Sequence, residues 1–165
     1  MSVTEKIIAF IRHIGINVFF EQIEVATFLP GIRIRSGSLV VDDEKLLYPG
    51  DLLHEAGHLA VMPVRIRREM NDDLGMADIH HAGELMAIAW SYAACVHLEL
   101  DPHVVFHEAG YKGGGAGIVE NFSEGRYFGV PMLAWQEMTT EPVAGTPCFP
   151  EMKSWICQVD KYQNA

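Results

Sequence analysis

The sequence predicts an α+β fold, and three observations carry that prediction. Apolar residues recur at helical spacing in the opening segment, β-formers crowd the stretch before residue 42, and two apolar runs bounded by proline and glycine have the length of buried helices. With 165 residues, 49% of them hydrophobic and 21% charged, the chain fits one domain over residues 1–165 around a single core.

The elements follow in order. MSVTEKIIAFIRHIG carries Glu5 early and sets Ile7, Ile8, Phe10, Ile11 and Ile14 on one helical face that ends near Gly15, a pattern unlike the unbroken apolar core of a signal peptide. NVFFEQI (Asn17 to Ile23) and GIRIRSGSLVVD (Gly31 to Asp42), which alternates around a Ser36-Gly37 turn, predict a small antiparallel sheet of two or three strands. In YPGDLLHEAGHLAVMP, Asp51 follows Pro49 and Gly50 as an N-cap and Pro63 stops the apolar run, so a helix is expected from Leu52 to Met62. Arg65 to His81 reads as a loop, and a second helix runs from Ala82 to Leu98 before Asp101-Pro102.

The pentapeptide HEAGH (His54 to His58) is echoed by HEAGY (His107 to Tyr111), but the echo runs into KGGGAG. Each glycine there disfavours a helix by about 1 kcal/mol relative to alanine, so the second copy belongs to a turn or loop. Short helices are expected over Ile118 to Gly125 and, begun by Pro131, over Val130 to Met138. The tail from Thr139, broken by Pro142, Pro147 and Pro150, receives no element.

Charge and composition exclude several roles. Twelve basic against 22 acidic residues leave a net charge of −10, which repels nucleic acid and anionic lipid. The one basic cluster, Arg65, Arg67 and Arg68, reads as a solvated helix end. LMAIAWSYAACVHL is too short to span a bilayer and includes Ser91 and His97, so it reads as a buried helix of a soluble protein with no membrane partner. The three cysteines form no C-x-x-C pair, which suits a reducing, cytoplasmic setting, with Cys95 a small core residue.

HEAGH carries the chemistry. Residues four apart on a helix differ by about 40° of rotation and about 6 Å of rise, so His54 and His58 can converge on one zinc ion. Glu55, beside the first ligand, can act on a water at the metal's open position without binding the metal itself. A catalytic zinc takes three protein ligands. The histidine-type extended motif is excluded because Val61 and Val64 stand at its glycine and histidine positions. Glu84, at the head of the next helix, is the expected third ligand; compensation of the helix dipole is its ordinary alternative explanation, and Asp78, His80 and His81 are rival ligands.

At HEAGH plus Glu84 the sequence resembles the zincin metallopeptidases in their gluzincin arrangement, and its layout from Thr4 to Leu98 is similar to the ImmA/IrrE-type family: an N-terminal helix, a strand pair, then LLHEAGHL on the active-site helix. The resemblance implies a compact zincin-like fold with zinc on His54, His58 and Glu84 and Glu55 as general base. It departs in one place. Thermolysin-like gluzincins carry an acidic residue one turn after the ligand glutamate to support a zinc histidine, and this chain has Ile88 there.

The expected activity is hydrolysis of a peptide or other amide bond in a peptide or protein substrate, and the alternative is a non-catalytic zinc-stabilised regulatory or binding module. A donor to the developing oxyanion is needed in the first case. His107 and Tyr111 of HEAGY are the candidates, set against an ordinary loop histidine for His107 and a half-buried packing residue for Tyr111.

Overall fold

The computed structural model describes residues 1–72, 77–143 and 148–163, with the backbone alone at 77–80. The N-terminal helix α1 (Val3–His13) is held by a capping box: the Glu5 amide donates to Ser2 Oγ at 3.2 Å and the Ser2 amide to Glu5 Oε2 at 2.6 Å. Its buried face is Ile7, Ile8, Phe10 and Ile11. Strands β1 (Val18–Phe20), β2 (Ile32–Arg35) and β3 (Ser38–Val41) make one sheet in the order β1-β3-β2.

The β2–β3 hairpin is antiparallel and turns at Ser36-Gly37, both at positive φ, as the sequence predicts. The first strand corrects the expectation of a purely antiparallel sheet: β1 runs parallel to β3, Val18 opposite Leu39 and Phe20 opposite Val41. Residues 21–31 carry the chain to the far edge before the hairpin returns β3 to the centre, and β3 then runs the same way as β1. Leu39, Val40 and Val41 of the central strand are all buried.

Helix α2 (Asp51–Ala60) lies against β2 and β3 on one side and along α4 (Ala77–His97) on another. Gly50 stands at the cap position where Asp51 was expected, and Asp51 opens the helix. A side chain at Gly50 would collide with the Val104 carbonyl, so the chain needs glycine there and the acid falls one residue later. The helix also stops at Ala60, short of Met62.

Past that end the basic cluster proves only partly solvated. Arg67, in the one-turn helix α3 (Val64–Arg67), sends Nε to Leu59 O at 2.8 Å and Nη2 to Met62 O at 2.8 Å and Cys157 O at 3.1 Å. It ties the last turn of α2 to the segment just past it and to the C-terminal tail.

Helix α4 begins before the expected Ala82, and its buried residues include Met86, Ala87, Ala89, Trp90, Ala93, Ala94 and Cys95. Burial pushes the Cys95 thiol up to about 12. The HEAGY segment is irregular and leads into a single 3-10 turn at Tyr111–Gly113, then α5 (Gly115–Ser123) and α6 (Val130–Trp135). The tail folds back onto α2 and α4: the Cys157 amide donates to Ala60 O at 2.7 Å, Trp90 Nε1 to Trp155 O at 3.0 Å, and Thr139 bridges Met152. Among the described residues no helix is long and apolar enough to cross a membrane.

Candidate metal centre

Helices α2 and α4 approach closely at Gly57, the glycine of HEAGH. A Cβ there would lie 3.1 Å from Ala87 O and 3.2 Å from Trp90 Cε3, tighter than almost all real contacts. That approach brings Glu84, one turn before Ala87 on α4, over the face of α2 that carries His54 and His58.

The three side chains close a triangle. His54 Nε2 and His58 Nε2 are 3.1 Å apart, His58 Nε2 is 3.0 Å from Glu84 Oε2, and His54 Nε2 is 3.5 Å from Glu84 Oε1. Donors about 2.0–2.1 Å from a tetrahedral zinc stand about 3.3 Å from one another, so these edges match one face of such a site. Two imidazoles and a carboxylate suit zinc and its first-row neighbours. The residues therefore fit a metal ion, and this is the group of possible ligands found among the described residues.

Burial differs around the triangle. The histidine side chains are 12% and 9% exposed and Glu84 is 41% exposed, so the site is open on the carboxylate side. Burial alone would push the Glu84 carboxyl up, but its contacts with His54 and His58 outweigh this and hold it well below the usual carboxylate range. Glu84 also lies two turns inside α4. The helix dipole, whose effect fades within the first turn, does not account for a carboxylate there.

Of the rival ligands, the side chains of Asp78 and His80 lie outside the described residues, and His81 is exposed.

Glu55 follows His54 on α2 and lines a groove of about 440 Å³ whose other walls include Thr27, Leu29, Ile32, Ile34 and Asp72. Burial pushes its carboxyl up to about 7; the neighbouring Glu84, Asp51 and Asp72 add to the rise, while His58 opposes it. Asp72, which no sequence signal marks, closes the outer edge of β2: its Oδ1 accepts from the Ile34 amide at 2.6 Å, its amide donates to Ile34 O at 3.1 Å, and its Oδ2 pairs with Arg33 Nε at 3.0 Å.

The two candidates from HEAGY are placed differently from each other. Tyr111 Oη lies 3.0 Å from His54 Nδ1, the ring nitrogen that faces away from the triangle. Burial, with Glu84, Asp51 and Glu55 nearby, raises the phenol well above its usual range, so it stays protonated. His107 turns to Asp51 instead. Its Nε2–H donates to Asp51 Oδ1 at 2.8 Å, and its ring stacks on Tyr48 at 3.9 Å between centroids.

Asp51 is 5% exposed; burial raises its carboxyl and the bond from His107 opposes the rise. Its role was hidden in the sequence behind its resemblance to an N-cap. No protein-family model, no curated protein and no solved structure matches the chain.

Proposed function

We propose that this chain is a zinc-dependent metallopeptidase or amide hydrolase of the zincin type, with His54, His58 and Glu84 holding the metal and Glu55 as general base. The observation that carries the reading is the closed triangle of donor atoms at 3.0 to 3.5 Å beside a carboxylate that lines a groove. A zinc ion held by His54, His58 and Glu84 would supply Lewis acidity, polarising a carbonyl and making water a better proton donor. Glu55 then accepts the proton of the attacking water and returns it to the leaving nitrogen.

The groove favours an extended peptide with an apolar side chain, since Leu29, Ile32 and Ile34 line it. We place the reaction in the cytoplasm, on a peptide or protein substrate.

Two measurements test the reading together. Elemental analysis of protein purified without added metal is expected to give about one zinc per chain for wild type and far less for Glu84→Ala. Against a fluorogenic peptide library, Glu55→Gln is expected to lose turnover while keeping the zinc. Zinc retained in both variants would remove Glu84 from the site. Cleavage undiminished in Glu55→Gln would remove the general base, and a zinc-loaded wild type that cleaves nothing would turn the reading to a zinc-stabilised regulatory module.

A further inference from the structure

We propose that the HEAGY loop is the outer support of the metal site, with Tyr111 as a positioning residue that accepts the Nδ1–H of His54 and His107 as the anchor that brings Tyr111 there. The inference rests on the metal-binding reading above and adds to it the partner that sets one ligand's tautomer.

The imidazole of His54 sets the requirement. A neutral ring has one N–H and one lone pair. His54 Nε2 faces His58 and Glu84 at 3.1 and 3.5 Å, so when it binds an ion its lone pair is committed and the proton must be on Nδ1. The atom 3.0 Å from Nδ1 is the Tyr111 oxygen, which then accepts. Without such a partner the ring is free to place its proton on either nitrogen and to rotate, and one of the two tautomers cannot ligate through Nε2. A support of this kind is what the chain lacks at Ile88. The same geometry turns Tyr111 away from oxyanion stabilisation, because Nδ1 and Nε2 open to opposite sides of the ring and the phenol stands on the side away from the triangle.

The loop is built against α2 along successive positions. The Gly50 site admits the Val104 carbonyl, Asp51 accepts from His107, and His54 meets Tyr111. The backbone at the last contact is constrained: Tyr111 and the following Lys112 both have φ of 53°, a left-handed conformation that their side chains disfavour. Gly115 allows the start of α5 to cross the Phe106 and His107 carbonyls, where a Cβ would collide. Tyr111 also packs on Phe106, with ring centroids 5.3 Å apart. Two strained residues held by contacts on both sides place one hydroxyl on one ligand.

The test is the zinc dissociation constant, measured by competition with a chromophoric chelator, for wild type, Tyr111→Phe, His107→Ala and the double variant. Tyr111→Phe keeps the ring on Phe106 and removes only the acceptor. Zinc binding is expected to weaken roughly 10- to 100-fold while the melting temperature of the metal-free protein falls by only about 1–6 °C, the loss of one hydrogen bond. His107→Ala is expected to weaken zinc as well, and to add little in the Tyr111→Phe background, because both act through one contact.

Long-range proton–nitrogen correlation spectra of the zinc-loaded wild type are expected to show His54 protonated at Nδ1. A Tyr111→Phe protein that binds zinc within about twofold of wild type would overturn the proposal while leaving the metal site standing, as would additive losses in the double variant. A wild type that binds no zinc would overturn both readings.

Discussion

Gly57→Ala separates the stability of the fold from the geometry of the site. The substitution lies in the interior of α2, where alanine is preferred over glycine by about 1 kcal/mol. The new methyl would stand 3.1 Å from Ala87 O, 3.2 Å from Trp90 Cε3 and 3.3 Å from Ala87 Cα, so α4 has to yield by a few tenths of an ångström. Overpacking of this kind costs about 1–3 kcal/mol, which leaves a net loss of about 0–2 kcal/mol. For a chain of this length that is a fall in melting temperature of about 0–8 °C.

The site is affected more than the fold. Glu84 rides on α4 one turn from Ala87, and metal–ligand distances tolerate deviations of only about 0.2 Å, so zinc binding is expected to weaken about tenfold or more. Gly117→Ala is the control. Gly117 lies in α5 with nothing within 4 Å of where a Cβ would stand, and the same exchange there is expected to stabilise by up to about 1 kcal/mol without touching zinc affinity. Urea denaturation of the metal-free proteins and chelator competition read the two quantities independently. A Gly57→Ala protein that gains about as much stability as Gly117→Ala and binds zinc like wild type would refute the close approach of α2 and α4 and the route by which Glu84 reaches the histidines.

Other perturbations follow from the same contacts. Free zinc at a hundred times its dissociation constant is expected to stabilise the protein by about 2.7 kcal/mol, raising the melting temperature by about 5–11 °C in a scanning experiment, and Glu84→Ala should abolish the shift. Arg67→Met removes the donor to the carbonyls of Leu59 in α2, Met62 just past it and Cys157 of the tail, and is expected to cost about 2–4 kcal/mol in denaturant melts, with little change if those carbonyls find water instead.

Asp42 accepts from the Ile23 amide at 2.9 Å, and that bond, aided by Lys45 and opposed by desolvation, lowers its pKa in the folded state. Its contribution is therefore complete above the unfolded value near 3.9 and is lost as pH falls through the folded one. The stability gap between wild type and Asp42→Asn should be full at neutral pH and close under acid.

What the sequence revealed of this molecule was mostly local. The apolar face of α1, the turn at Ser36-Gly37 and the proline-bounded helix with HEAGH on it depend on neighbours a few positions away, and all three are present, the ends of α2 lying one or two residues from where the pattern places them. Glu84's place beside the two histidines was legible for a different reason, because two histidines converging on a metal would demand a third ligand and a following helix is where one can stand. The parallel pairing of β1 was hidden, since β-propensity does not say which strand becomes the neighbour. Arg67 was hidden likewise: a cluster of three arginines reads as a solvated surface until the carbonyls of Leu59 and Met62, at and past the end of α2, are seen beside one of them. The early start of α4 escaped because the segment before Ala82 is polar and offers no apolar period.

The relation between the two pentapeptides turns on how one spacing behaves on two backbones. On α2, His54 and His58 are a turn apart and their nitrogens meet at 3.1 Å. In the second copy His107 and Tyr111 have the same separation in sequence, but Gly110 is extended and Tyr111 sits at positive φ, so the side chains diverge and reach Asp51 and His54. Such a pair cannot close on a metal by itself. It can span the first turn of the helix that carries the candidate ligands, touching it at two points where a helical copy would present one face. That is why the echo could not be read as a second site from its residues, and why its place beside the first copy emerges only once the glycines after it have broken the helix.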